Sequence, residues 1–209
     1  MLGLVQTGGS IYETLALLAF YVIAVLSALI LHEVAHGLVA LWCGDPSAKY
    51  AGRLSLNPAK HLDAMGTVCF LLFGFGWAKP VPINPANFKK HKTGCFLVSF
   101  AGIAANLLIA FVASFFYVLL LGTVWEYLFA YIMLFNLLFA TFNLLPIAPL
   151  DGFNLVAALA PNSSYVRFMR QNNMVALIIL VAVVYLTNIL EIVQGFLLSL
   201  FLDFWLLFL

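Results

Sequence analysis

Long apolar runs, separated by short polar stretches, make up most of this chain. A helix needs about 20 predominantly apolar residues to cross a bilayer, and several runs reach that length. They are residues 12–43, 95–121, 127–150 and 174–209, the last divided into two shorter parts near Thr187, Asn188 and Glu191. The pattern predicts an all-α polytopic membrane protein with about five transmembrane helices.

A shorter apolar run, residues 62–77, lies between two polar stretches that both carry basic residues. All nine Lys and Arg residues fall in residues 47–61, 78–94 or 161–173, and short loops rich in Lys and Arg face the cytoplasm. If residues 62–77 crossed the membrane, the two basic loops beside them would lie on opposite faces. We therefore predict that this run enters and returns, with the N-terminus outside and the C-terminus inside.

The resulting re-entrant hairpin, between the first and second transmembrane helices, is predicted to be partly β-like. Residues 51–56 show some alternation of apolar and polar side chains, which is typical of a short strand. Three prolines in residues 78–94 exclude a continuous helix there. Non-helical backbone at membrane depth is tolerated where protein or a water-filled cavity shields it.

The composition agrees with a lipid environment. The 209 residues are 65% hydrophobic and 8% charged, whereas a typical soluble domain is about 25% charged. A net charge of +1 argues against nucleic-acid binding, which needs a clustered basic face. The three cysteines have no CxxC spacing and predict no disulfide framework or cysteine zinc site. The length suits one membrane-embedded domain, residues 1–209, with a core of about 12–160 and a C-terminal helical hairpin at 174–209.

Residues 32–36 read His-Glu-Val-Ala-His, the HExxH pattern of zinc sites. On a helix, His32 and His36 share one face, so both imidazoles can reach one metal ion. Glu33 would lie beside that ion, where it can take a proton from a water molecule. HExxH also occurs by chance in soluble helices, but a charged group near a bilayer centre costs at least ~2.5–3.5 kcal/mol. Three ionisable groups inside an apolar run therefore favour a metal site.

A catalytic zinc site usually has three protein ligands, so a further ligand is expected. Asp151 is the best candidate, because it ends an apolar run where an unbound carboxylate would be costly. From the residues alone, a solvated cap at the start of the next helix is an equally good interpretation of Asp151.

Several segments together resemble the site-2 protease family of intramembrane zinc metalloproteases, in its compact bacterial and archaeal branch. The resemblance runs from about residue 30 to residue 160, through HEVAHG, GRLSLNPAKHLDAMGT, GFGWAKPVPINP, SFAGIAANLLIA and NLLPIAPLDG. Two positions depart from the family pattern: Ile103 follows Gly102 where the family usually has proline, and Ala148 replaces a second proline. Neither departure affects a metal ligand or the base.

The resemblance implies one zinc ion per chain, bound by His32, His36 and Asp151, with Glu33 as the catalytic residue. It also implies two substrate-binding residues. Asn143 matches an asparagine beside the active site that holds substrate backbone, and Asn106 matches a recurrent asparagine of the middle core helix.

The implied activity is that of a zinc metalloendopeptidase acting in regulated intramembrane proteolysis. It would hydrolyse peptide bonds in or near transmembrane segments of other membrane proteins. The expected partners are such a substrate and the lipid bilayer, without nucleic acid, and the sequence indicates no oligomeric state. The expected location is the cell (inner or cytoplasmic) membrane, with multiple passes and an active site near the cytoplasmic face.

Two other classes of protein could also carry buried His, Glu and Asp residues in membrane helices. A zinc-binding adaptor that does not hydrolyse would not need Glu33, because ligation alone requires no base. A small transporter could use buried His, Glu and Asp as an ion path, but it would show internal repeats with helices broken in matching halves. The sequence shows neither feature.

Overall fold

The computed structural model describes residues 11–73 and 79–208, which fold into α-helices joined by short loops. The helices are α1 (Ile11–Cys43), α2 (Ser47–Tyr50), α3 (Ala64–Phe73), α4 (His91–Leu119), α5 (Trp125–Leu144), α6 (Asp151–Leu159), α7 (Ser164–Gln171), α8 (Asn173–Leu186) and α9 (Ile189–Leu206). Two 3₁₀ turns lie at Pro58–Lys60 and Pro85–Asn87. This architecture confirms the all-α class.

Four helices, α1, α4, α5 and α9, are long and apolar enough to cross a membrane. A fifth candidate is the pair of α7 and α8, which is bent by 101°, since α8 alone has only 14 residues. Four to five membrane-capable helices agree with the predicted number. The predicted division of the last apolar run is also confirmed, because α8 ends at Leu186 and α9 begins at Ile189.

The centre of the molecule is the packing of α1 against α4 and α5. Small side chains line these contacts, including Ala28 of α1, Ala110 of α4 and Ala140 of α5, each at most 1% exposed. Small residues allow membrane helices to approach closely, because their backbones can come into near contact. The C-terminal half of α1, which carries the HExxH motif, is therefore enclosed by two other helices.

The strand predicted at residues 51–56 is not formed. The amides of Gly52 and Arg53 donate to the carbonyls of Lys49 and Ala48, so the chain leaves α2 in a turn. Gly52 has a φ of +66°, in the left-handed region that glycine adopts without strain. Apolar alternation was misleading here because the backbone hydrogen bonds of these residues are made locally rather than to a partner strand.

The two ends of the predicted hairpin lie side by side. The amide of Lys79 donates to the carbonyl of His61 at 2.8 Å, and between them the chain forms α3, which Asp63 caps through the amide of Gly66. Residues 74–78 lie outside the described part of the chain.

Candidate metal centre

The two histidines of the HExxH motif lie one helical turn apart on the buried face of α1. Each is 6% exposed, and their Nε2 atoms are 3.0 Å apart. The α-helix predicted from the apolar run is what places both imidazoles on the same side.

Asp151 joins this pair from the first residue of α6. Its Oδ2 atom lies 3.1 Å from Nε2 of His32 and 3.0 Å from Nε2 of His36. The following residue, Gly152, allows α6 to begin against the end of α5, since a Cβ there would lie 2.3 Å from the carbonyl oxygen of Leu144. His32, His36 and Asp151 therefore form one cluster of possible metal ligands.

Hydrogen bonds on the far side of each imidazole determine where its proton lies. Nδ1 of His32 is 2.6 Å from Oδ1 of Asn106, and Nδ1 of His36 is 2.7 Å from the carbonyl oxygen of Val98. The Asn106 amide nitrogen already donates to the Ala28 carbonyl and to Asn136 Oδ1, so its oxygen faces His32. Both partners accept, so a neutral imidazole carries its proton on Nδ1 and a lone pair on Nε2.

The centre of the cluster consequently holds three acceptors that face one another. They are two imidazole lone pairs and Asp151 Oδ2, which is buried and accepts no hydrogen bond. Converging acceptors repel unless a cation lies between them, and two imidazole nitrogens with one carboxylate suit zinc. The three residues fit a zinc ion.

Gly102 of α4 makes room for this centre. A Cβ at Gly102 would lie 2.4 Å from Nε2 of His36 and 2.5 Å from Cε1 of His32, far inside van der Waals contact. Only a residue without a side chain allows α4 to lie against both imidazole rings. A glycine within an apolar helix is a sign of close packing that the sequence already contained. The sequence did not show that the neighbours of Gly102 are the two imidazoles.

Glu33 lies beside the histidines and is held by a backbone amide. The N–H of Val81 donates to Oε2 of Glu33 at 3.0 Å. Val81 belongs to a segment outside the helices, residues 79–84, in which Pro80 and Pro82 favour extended backbone. We call this segment the strap. Pro80 and Pro82, the neighbours of Val81, have no N–H, so Val81 supplies the single amide of this tripeptide, and that amide is directed at the carboxylate.

Two buried charged side chains fasten the strap. Arg53, 6% exposed, donates through Nη2 to the carbonyls of Lys79 and Pro80, both at 3.0 Å. Asp45, fully buried, accepts from the amide of Asn84 at 2.7 Å. Burial raises the pKa of Asp45, but its hydrogen bonds from Ser47, Asn84 and Asn87 outweigh burial and lower that pKa. Sequence reasoning identified neither role.

A cavity of about 630 Å³ opens onto the metal centre. Its lining includes Glu33, Asn143 and the strap residues Pro80 and Val81. The Asn143 amide nitrogen donates to the carbonyl of Phe139, one turn earlier in α5, at 3.0 Å. Asn143 therefore lies within the cavity with a side-chain carbonyl that no hydrogen bond in the described structure occupies.

One comparison with known proteins connects this geometry to a family. The chain is 41% identical over 161 residues to a protein of Bacillus subtilis (strain 168) named "Putative zinc metalloprotease YwhC". The aligned part covers 72% of this chain and 74% of that protein. This chain belongs to the site-2 protease family. No family model matches the sequence and no solved structure matches it.

The sequence predicted roles for six residues of this site-2 protease family member, and the structure gives the position of each. The structure brings His32, His36 and Asp151 together and places Glu33 and Asn143 in the adjoining cavity. Asn106 is different: it is fully buried, and its amide contacts His32, Ala28 and Asn136. The predicted roles of all six residues remain predictions, and the position of Asn106 favours support of a metal ligand over contact with substrate.

Proposed function

We propose that this protein is a zinc metalloendopeptidase that cleaves peptide bonds in or near transmembrane segments of other membrane proteins. The observation that carries the proposal is the convergence of His32, His36 and Asp151, with all three ligand atoms within 3.1 Å of one another. Glu33 lies beside them in a cavity within a bundle of membrane-capable helices. The name of the Bacillus relative supports the same chemistry for this chain.

Zinc bound by the three ligands would supply a Lewis acid that polarises a peptide carbonyl and acidifies water. The protein's own base is Glu33, which accepts a proton from the attacking water and returns it to the leaving amine. Because the Val81 amide engages one oxygen of Glu33, the other oxygen is available for proton transfer. The intact base separates this proposal from a zinc-binding adaptor, in which such a residue would have no task.

The substrate must enter in an extended form, because a helix hides its peptide bonds in internal hydrogen bonds. The strap supports this step: Pro80 and Pro82 favour extended backbone, and Pro80, Val81 and Ile83 line the cavity. A peptide can add to exposed extended backbone as a neighbouring strand, and we assign this role to the strap. Asn143, on another wall, is placed to bond the substrate backbone.

The active site is proposed to lie near the cytoplasmic face of the cell membrane. The Lys79–His61 hydrogen bond holds the residues on either side of residues 62–78 next to each other, and therefore at the same depth in a membrane. This supports a re-entrant segment, and with such a segment every basic loop would lie on one side. A reporter inserted at Lys89 should map to the cytoplasm. An external location for that reporter would refute this orientation.

The decisive experiment is cleavage of a model transmembrane substrate by the purified chain in detergent, with bound zinc measured in the same preparations. The parent should contain about one zinc per chain and cut the substrate. Glu33→Gln should keep the zinc and lose cleavage by about 10²–10⁴-fold, whereas Glu191→Gln, on an exposed turn of α9, should match the parent. A parent that binds no zinc would refute the proposal. Zinc binding without cleavage of any transmembrane substrate would favour an adaptor.

A further inference from the structure

The charged side chains that line the cavity fall into two groups. Glu33 and Asp151 belong to the metal centre, together with His32 and His36. The remaining charged residues are Lys92 and Arg170, and no other carboxylate lines the cavity in the part of the chain described. We call Lys92 and Arg170 the basic rim.

Neither rim residue has an acidic partner among residues 11–73 and 79–208. Both are exposed. Among the described residues, the close contacts between acidic and basic side chains are those of Asp151 with the two histidines. A long cationic side chain that makes no internal ion pair is available to a ligand. Arg167 offers a contrast on the same helix, because its guanidinium donates to Ser164 and it does not line the cavity.

Packing holds both rim residues at the cavity. Arg170 follows Met169, which is buried with Val166 of α7 against Phe153 and Ala157 of α6. Since α6 begins at Asp151, the packing of α7 against α6 fixes the position of Arg170 relative to Asp151.

At the other side, Lys92 lies in the first turn of α4. That turn is anchored by Phe88, which packs against Ala40 and Val98, and by the hydrogen bond from the Lys89 amide to the Cys43 carbonyl. The rim is therefore built on two elements that are both tied to the metal centre.

We infer that the basic rim selects substrates with Asp or Glu beside the cleaved segment and rejects those with Lys or Arg there. The inference rests on the proposed proteolytic function. Membrane proteins commonly carry an excess of Lys and Arg in short cytoplasmic flanks, and such flanks would meet like charge at Lys92 and Arg170. The rim would weaken the binding of a substrate with a basic flank and strengthen the binding of one with an acidic flank. Both effects widen the difference in affinity between the two kinds of substrate.

Three versions of one transmembrane substrate test this inference, with Glu-Glu, Gln-Gln or Lys-Lys placed at its cytoplasmic end. Binding is measured with Glu33→Gln and cleavage with the parent, both in neutral detergent. We expect the acidic flank to bind and react about tenfold better than the basic one, and the preference to shrink at high salt. Combined Lys92→Glu and Arg170→Glu should reverse the order of the three substrates while zinc content stays unchanged.

The matched control is Lys90→Glu with Arg167→Glu. It reverses two exposed charges, one immediately before α4 and one on α7, that lie outside this cavity. This control should keep the parent's preference. Equal binding of all three flanks, or an equal change in the control, would overturn the inference. So would an effect that appears only in anionic vesicles and is the same for every flank, because the rim would then bind lipid headgroups. Charge-selective binding without any cleavage would instead refute the proposed function and leave the rim in place.

Discussion

The backbone amide of Val81 donates a hydrogen bond to Oε2 of Glu33 at 3.0 Å, although the two residues are 48 positions apart. This contact joins the proposed base on α1 to the strap along the cavity wall. The carboxylate is thereby held in one orientation by a group that has a fixed position, because Arg53 binds the two preceding carbonyls.

Removal of that amide should impair catalysis more than removal of the Val81 side chain. Val81→Pro eliminates the N–H, and an unmade hydrogen bond to a partly buried carboxylate costs about 1–3 kcal/mol, so we expect kcat to fall about ten- to a hundredfold. Val81→Ala keeps the amide and should retain most of kcat. The two variants are compared in kcat and KM at equal zinc content. Equal kcat values for the two variants would contradict a role for this hydrogen bond.

Gly102→Ala should destroy the metal centre without unfolding the helices. The added Cβ would lie 2.4 Å from Nε2 of His36, and α4 or the imidazoles would have to move. We expect zinc content to fall below one tenth of the parent's, with helical circular dichroism retained. Gly195→Ala is the matched control, since a Cβ there meets nothing within 4 Å and alanine favours a helix by up to about 1 kcal/mol. Normal zinc content in Gly102→Ala would show that the approach of α4 is not as close as described.

Asn106→Ala should weaken zinc binding, whereas Asn143→Ala should weaken only the cleavage of substrate. Loss of the Asn106 contact to Nδ1 of His32 frees the ring to rotate or change tautomer, and such supporting contacts are worth about 10–100-fold in metal affinity. Asn143→Ala should leave zinc affinity unchanged and reduce kcat/KM for the substrate. Competition with a chelator measures the first effect and steady-state cleavage the second. If Asn106→Ala binds zinc normally but loses substrate affinity, the substrate-binding role implied by the family resemblance would be correct. An Asn143→Ala variant that cuts as fast as the parent would exclude a role for that residue.

Asp45 should stabilise the protein only while it is ionised. Its pKa in the folded protein is lowered by hydrogen bonds, so its contribution is present above the ordinary aspartate pKa of about 3.9 and is lost as the pH falls through the lower, folded value. We expect Asp45→Asn to reduce the free energy of unfolding at neutral pH by about 1–3 kcal/mol. The difference from the parent should shrink below a pH of about 3.9.

Thermal unfolding of zinc-stripped protein in detergent measures this difference without a contribution from metal loss. Asp63→Asn serves as the control, because asparagine caps a helix about as well as aspartate and the capping contact to Gly66 can be kept. A difference between Asp45→Asn and the parent that is constant across the pH range would contradict the assignment.

The parts of the protein that the sequence could predict are those written in a local pattern. The apolar runs predicted α1, α4, α5 and α9, because span length and hydropathy depend only on consecutive residues. The spacing of His32 and His36 placed both on one helical face, since four residues make about one turn. The strand at residues 51–56 failed as a prediction because a short alternation carries little information beside the turn-forming Gly52.

By itself, then, the sequence determined the all-α class, the two histidines and Glu33 on one helix, and Asp151 as the best further ligand. Tertiary structure alone decided which groups surround them. Asn106, which holds His32, is 74 positions away on α4, the helix that also carries Gly102 and Lys92. Val81 comes from the strap and Arg170 from α7. Their neighbours depend on how closely helices pack and where loops return. That is set by the fit of small side chains and buried hydrogen bonds between distant segments, for which the chain carries no periodic signal.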